Sequence, residues 1–75
     1  MIEDSFGLTL RMIRVSRGFT QEELAFKSSL DRTYISLLER GLRIPTISTL
    51  FRLSNSLDIL PEDFIKMVRT NNENH

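Results

Sequence analysis

The sequence predicts an all-α domain of five short helices. Gly18, Gly41, Pro45 and Pro61 punctuate the 75 residues at intervals of one short helix plus a turn. Between them, apolar residues recur at helical spacing. No segment shows the alternation bounded by turn residues that marks a strand.

Each element has its own signals. Helix one is predicted over residues 5–17, where Phe6, Leu10, Ile13 and Arg17 share one face and Gly18 supplies a left-handed stop. Helix two is predicted over residues 20–28. Its opening, Thr20-Gln21-Glu22-Glu23, spells a capping box in which the Thr20 oxygen takes the Glu23 amide and Glu23 reaches back. Ser29-Leu30 forms a tight turn, Asp31 is placed to cap helix three, and that helix runs to Arg40 before Gly41. Thr46 caps helix four, which runs to Leu57. Pro61 suits the first position of helix five, with Glu62 and Asp63 at its positive end. That helix is predicted to end near Arg69. Residues 1–69 therefore read as one domain, and the polar residues 70–75 as a disordered tail.

Composition narrows the function classes. Ten Lys/Arg balance ten Asp/Glu, and 40% of residues are hydrophobic. With no cysteine, disulfides and thiolate metal sites are excluded, and the single histidine, His75, builds no metal site alone. No metal or cofactor is expected, and association between copies is the natural support for so small a core. No apolar run is long enough to span a membrane. The opening Met1-Ile2-Glu3-Asp4 is acidic, unlike a signal peptide, so the cytoplasm is the expected compartment. An enzyme is not expected. There is no Ser/His/Asp or Cys/His set and no glycine-rich phosphate loop, and first-turn positions account for Glu22/Glu23 and Glu62/Asp63.

The zero net charge hides an uneven distribution. Residues 11–43 carry seven cations against four carboxylates, and eight of the ten cations in the chain are arginine. Arginine suits bidentate contacts to phosphate and guanine. The same stretch holds two helices joined by a three- to four-residue turn, which describes a helix-turn-helix. Ala25 allows a close crossing, and Leu24, Leu30, Ile35 and Leu38 are spaced to pack beneath it. The opposite face of helix three presents Arg32, Thr33, Tyr34 and Ser36. A cation at the positive end of a helix makes sense when phosphate or guanine compensates it. Tyr34 suits either DNA contact or packing over the turn. Glu22 suits either a cytosine contact or first-turn stabilisation. Leu37 suits either a thymine methyl or the core.

Helices four and five carry more apolar surface than one side of a small bundle needs. Phe51, Ile59, Leu60, Ile65 and Val68 are the expected two-fold interface, the alternative being that they lie in the monomer core.

Residues 6–65 resemble the Xre family of lambda-repressor-like helix-turn-helix domains. The resemblance rests on Gly18-Phe19-Thr20-Gln21-Glu22-Glu23-Leu24-Ala25, on Tyr34-Ile35-Ser36-Leu37-Leu38-Glu39-Arg40-Gly41, and on Pro45-Thr46 and Leu50. Residues 27–36 are more narrowly similar to the controller proteins of restriction–modification systems. The resemblance implies a five-helix lambda-repressor-like fold. It also implies a dimeric transcription regulator that binds a pseudo-palindromic double-stranded DNA operator through helix three in the major groove, with RNA polymerase a candidate partner. Phage-type repressors, antitoxin-like autoregulators and a helical protein-interaction module without DNA binding are the alternatives. By position, Gln21, Arg40 and Arg43 are implied phosphate contacts. Arg32 and Thr33 are implied base readers, with Tyr34 and Ser36 touching bases or backbone and Glu22 a further base-edge candidate. Arg14 is implied to pair with Glu39. Three positions depart from the family pattern: Ser29 stands where many members have a turn glycine, Asp58 replaces a helix-ending glycine, and Leu60 replaces a hydroxyl cap.

Overall fold

The computed structural model describes residues 1–74, and these form five α-helices with no strand. They are α1 (Ile2–Ser16), α2 (Gln21–Ser28), α3 (Arg32–Glu39), α4 (Ile47–Ser56) and α5 (Pro61–Glu73). His75, the one histidine, lies outside the described residues.

The caps decide most of the boundaries. At α2, Glu23 N–H donates to Thr20 Oγ1 (3.0 Å) and Thr20 N–H donates to Glu23 Oε1 (2.9 Å). The bond from the Thr20 backbone, and after it the Thr20 hydroxyl, hold the Glu23 carboxyl below its ordinary range, with Lys27 adding to the effect. At α4, Thr49 N–H donates to Thr46 Oγ1 at 3.1 Å. Pro61 opens α5. Asp31, expected to cap α3, makes no side-chain cap bond. Its carboxylate is exposed and Tyr34, not Glu or Gln, occupies the reciprocal position, so no capping box can close.

The helix ends differ from expectation at both termini. α1 starts at Ile2 rather than Ser5, with Glu3 and Asp4 in its first turn facing the positive end of the helix dipole. α5 continues through residues 70–73, which the sequence assigns to a disordered tail. These residues are docked on α1: Asn71 Nδ2 donates to Thr9 Oγ1 at 2.7 Å, and Ser5 Oγ donates to Asn72 Oδ1 at 3.1 Å. Thr9 and Ser5 are fully buried, and their hydroxyls also reach back to the Ser5 and Met1 carbonyls, so the two asparagines complete a polar seam between α1 and α5.

The core is one cluster drawn from all five helices. Phe6, Leu10 and Ile13 of α1 meet Leu24 and Ala25 of α2, Ile35 and Leu38 of α3, Leu50 and Leu53 of α4 with Leu57 after it, and Phe64 and Val68 of α5. Phe6 and Phe64 stack with centroids 5.2 Å apart and planes 13° from parallel. Two close approaches set the helix angles. A Cβ on Gly7 would lie 2.5 Å from the carbonyl oxygens of both Leu38 and Glu39, so only glycine lets α1 cross the end of α3 here. Arg17, which shares the apolar stripe of α1, donates from Nε to the Leu57 carbonyl at 2.7 Å and caps the end of α4.

Ser29 and Asp58 adopt left-handed backbone, with φ of 55° and 54°. Each has a β-carbon where glycine would carry no steric penalty. Replacing Ser29 by glycine relieves a strain of roughly 1–2 kcal/mol and adds less than that in unfolded-chain entropy. Ser29→Gly is therefore expected to stabilise the domain by about 0.5 kcal/mol, read as a rise of a few degrees in Tm by circular dichroism.

Candidate nucleic-acid interface

The α2–α3 pair crosses over fully buried Leu24, Ile35 and Leu38, with Ala25 tucked beneath and Leu30 partly covered in the turn. This packing fixes which way α3 faces. Ile35 and Leu38 point inward, which leaves Arg32, Ser36 and Arg40, four residues apart, on one outward stripe with Thr33 beside them. Arg32, Thr33 and Arg40 are exposed, while Ser36 and Leu37 are half-buried. Tyr34 is half-buried and packs its ring against the core, so it borders the outward face rather than standing on it. Arg43, in the loop after α3, and Glu22, on the first turn of α2, are exposed.

The electrostatics of this face are simple. Among the described residues only two ion pairs form, Met1 with Asp4 and Arg14 with Glu39. Arg32, Arg40 and Arg43 thus have no carboxylate partner among the described residues. Lys27 lies 4.9 Å from the centroid of the Phe19 ring. The first-turn amides of α3 meet no side-chain cap, so backbone donors and the Arg32 guanidinium sit together at the helix end expected to meet DNA.

Behind this face lies a buried polar knot. Arg14 Nε donates to Glu39 Oε2 at 2.6 Å and Arg14 Nη2 to Glu39 Oε1 at 3.0 Å, a bidentate pair whose side chains are 12% and 4% exposed. Arg14 Nη1 also donates to the Phe19 carbonyl at 2.8 Å, tying the loop that leads into α2. Gln21 Nε2 donates to Glu39 Oε1 at 3.1 Å. The family resemblance implies a phosphate contact for Gln21. The structure adds this second, internal bond, which no sequence signal marks.

The expected two-fold surface divides. Phe51, Leu60 and Ile65 are exposed, and Ile59 is half-buried against the core. Val68 is a correction: it is 4% exposed and belongs to the monomer core. The stacking of Phe64 on Phe6 turns the 64/68 stripe of α5 inward and leaves Ile65 outside. The apolar surface instead extends to Ile47 and Ile44, which are 72% and 54% exposed. With Ile2, Pro45 and Ile65 these two line a groove of about 260 Å³. Sequence reading leaves both out of the interface set, since an apolar residue in the loop before Pro45 or at the start of α4 reads equally well as core.

Among the described residues, no helix is long and apolar enough to cross a membrane, and no group of three His, Asp or Glu could hold a metal ion.

Known proteins share this arrangement. The helix-turn-helix family matches residues 10–65. The control protein C.BamHI of Bacillus amyloliquefaciens is 38% identical over 68 residues, covering 89% of this chain and 84% of the relative. The crystal structure of the restriction–modification controller protein C.AhdI from Aeromonas hydrophila superposes with a TM-score of 0.80 at 40% identity, covering 83% of this chain and 94% of that one. The controller protein C.Esp1396I, solved as a tetramer with its natural 35 base-pair operator, superposes with a TM-score of 0.86 at 37% identity, covering 95% of this chain and 93% of that one.

Removing one partner of the buried pair leaves the other charged and poorly solvated. Arg14→Ala is accordingly expected to cost about 3 kcal/mol, measured by urea unfolding, while Arg40→Ala, on the exposed face, is expected to change stability by less than about 0.5 kcal/mol.

Proposed function

This chain belongs to the helix-turn-helix family, and from that premise we propose that it is a dimeric, sequence-specific transcription regulator of the restriction–modification controller type. The observation that carries the reading is the outward stripe of α3, where unpaired Arg32 and exposed Thr33 stand at the uncapped end of a helix whose opposite face is locked into the core. In this reading α3 enters the major groove. Arg32 donates two parallel hydrogen bonds to guanine, and Thr33 offers a hydroxyl and a methyl to the neighbouring base pair. Tyr34 and Ser36 border the contact, and Glu22 accepts from a base edge. Gln21, Arg40 and Arg43 hold phosphates on either side and set the register.

The Cα trace of one copy spans 31 × 23 × 23 Å and carries one α3, and equivalent half-sites on duplex lie roughly 34 Å apart. Two copies related by a two-fold axis would present two α3 helices at that spacing and read a pseudo-palindrome. Phe51, Leu60 and Ile65, with Ile44 and Ile47 beside them, supply the apolar surface for that association. The C.Esp1396I tetramer on its operator supports duplex DNA and self-association as partners. With three unpaired arginines per subunit on this face, affinity draws on both subunits, so binding rises steeply with protein concentration and falls steeply with salt.

Two experiments test this reading. An operator is first selected from a random duplex pool. Arg32→Ala is expected to weaken operator binding by about 1–3 kcal/mol and random duplex little, whereas Arg43→Ala weakens both and lowers the salt slope by about one. Equal weakening of both duplexes by Arg32→Ala would remove its base-reading role. Phe51→Asp is expected to leave the monomer folded and shift it out of the dimer in sedimentation; a dimer that persists unchanged would place the interface elsewhere.

A further inference from the structure

We infer that Glu39 is a positioning residue for DNA-backbone binding, holding the Gln21 side-chain amide in the attitude from which it donates to a phosphate. The inference rests on the reading of Gln21 as a phosphate contact and deepens it. Three observations carry it. First, Glu39 Oε1 accepts both Arg14 Nη2 at 3.0 Å and Gln21 Nε2 at 3.1 Å. Second, the Glu39 side chain is only 4% exposed, and its two oxygens are fixed by the Arg14 fork, so the acceptor facing Gln21 has no freedom to swing. Third, Gln21 is the first residue of α2, half-buried, and its Nε2 makes no other bond among the described residues.

The chemistry follows from what a carboxylate can do. It only accepts, so it binds the amide nitrogen and repels the amide oxygen. Of the two amide orientations, the one that places Nε2 against Glu39 is therefore selected. The second N–H of that nitrogen stays uncommitted and is the donor available to a phosphate. A free glutamine would have to be immobilised on binding, a loss of roughly threefold to tenfold in affinity for one rotamer-rich side chain. Glu39 makes that ordering part of folding instead. Arg14 neutralises the carboxylate, so the arrangement adds no net negative charge beside the DNA backbone.

The test uses the full chain and a random-sequence duplex at low salt, because a phosphate contact does not depend on base sequence. Gln21→Ala is expected to weaken binding about threefold to tenfold. Glu39→Asp keeps a carboxylate to compensate Arg14 but draws it back by one methylene from Gln21 and from the Arg14 fork alike. It is expected to weaken binding at least threefold, and Gln21→Ala added to it should cost nothing further. In ¹⁵N relaxation, the Gln21 side-chain amide should be rigid in the free wild-type protein and mobile in Glu39→Asp. The wild-type relaxation measurement stands even if Glu39→Asp fails to fold. A mobile Gln21 amide in the wild type, or losses that simply add, overturns the positioning role alone. Failure of the wild type to bind any duplex overturns the DNA-binding reading and the positioning role together.

Discussion

The bidentate Arg14–Glu39 pair is the constraint on which the arrangement of the first three helices depends. It joins the last turn of α1 to the end of α3, and through Phe19 and Gln21 it also fixes the start of α2. Two charges withdrawn from water regain through mutual attraction about what they lose in hydration. The pair therefore adds little net stability against a well-packed apolar substitute. What it specifies is geometry, since a fork and a carboxylate meet in one orientation whereas leucines slide past one another. That geometry needs the helices close. The missing side chain at Gly7 lets α1 lie against the carbonyls of Leu38 and Glu39, within reach of the arginine two turns further on.

Much of this was legible in the sequence, and the reasons differ by residue. The Thr20 box, the Thr46 cap and the Pro61 start rest on interactions within four residues, which local pattern reads well. The left-handed turn at Ser29 is implied only by the resemblance, through the glycine that many family members carry there. The helix-turn-helix core followed from small and apolar residues at fixed offsets. What escaped depended on partners distant in sequence. Asn71 and Asn72 read as a polar tail because their hydroxyl partners, Thr9 and Ser5, lie more than sixty residues away. Val68 read as surface because nothing local shows that Phe64 stacks on Phe6. Gly7 carries a faint signal, a glycine inside a helix where alanine would be more stable.

The candidate site shows the same division. Residue types on α3 marked it as a reading face, and the structure turns Arg32 and Thr33 outward. Tyr34, ambiguous from sequence, packs its ring against the core. The zero net charge of the chain is compatible with a basic face because its carboxylates lie mainly in first turns and in the polar knot. There they compensate helix ends and Arg14 rather than the three exposed arginines.

The uncapped start of α3 gives this helix two unequal ends. Its last residue is held by a guanidinium and an amide, whereas its first turn has backbone donors with no side-chain acceptor. Under the proposed reading, the anchored end would hold the helix at a fixed angle while the open end keeps its amides for whatever acceptors a duplex brings in place of the Asp31 carboxylate.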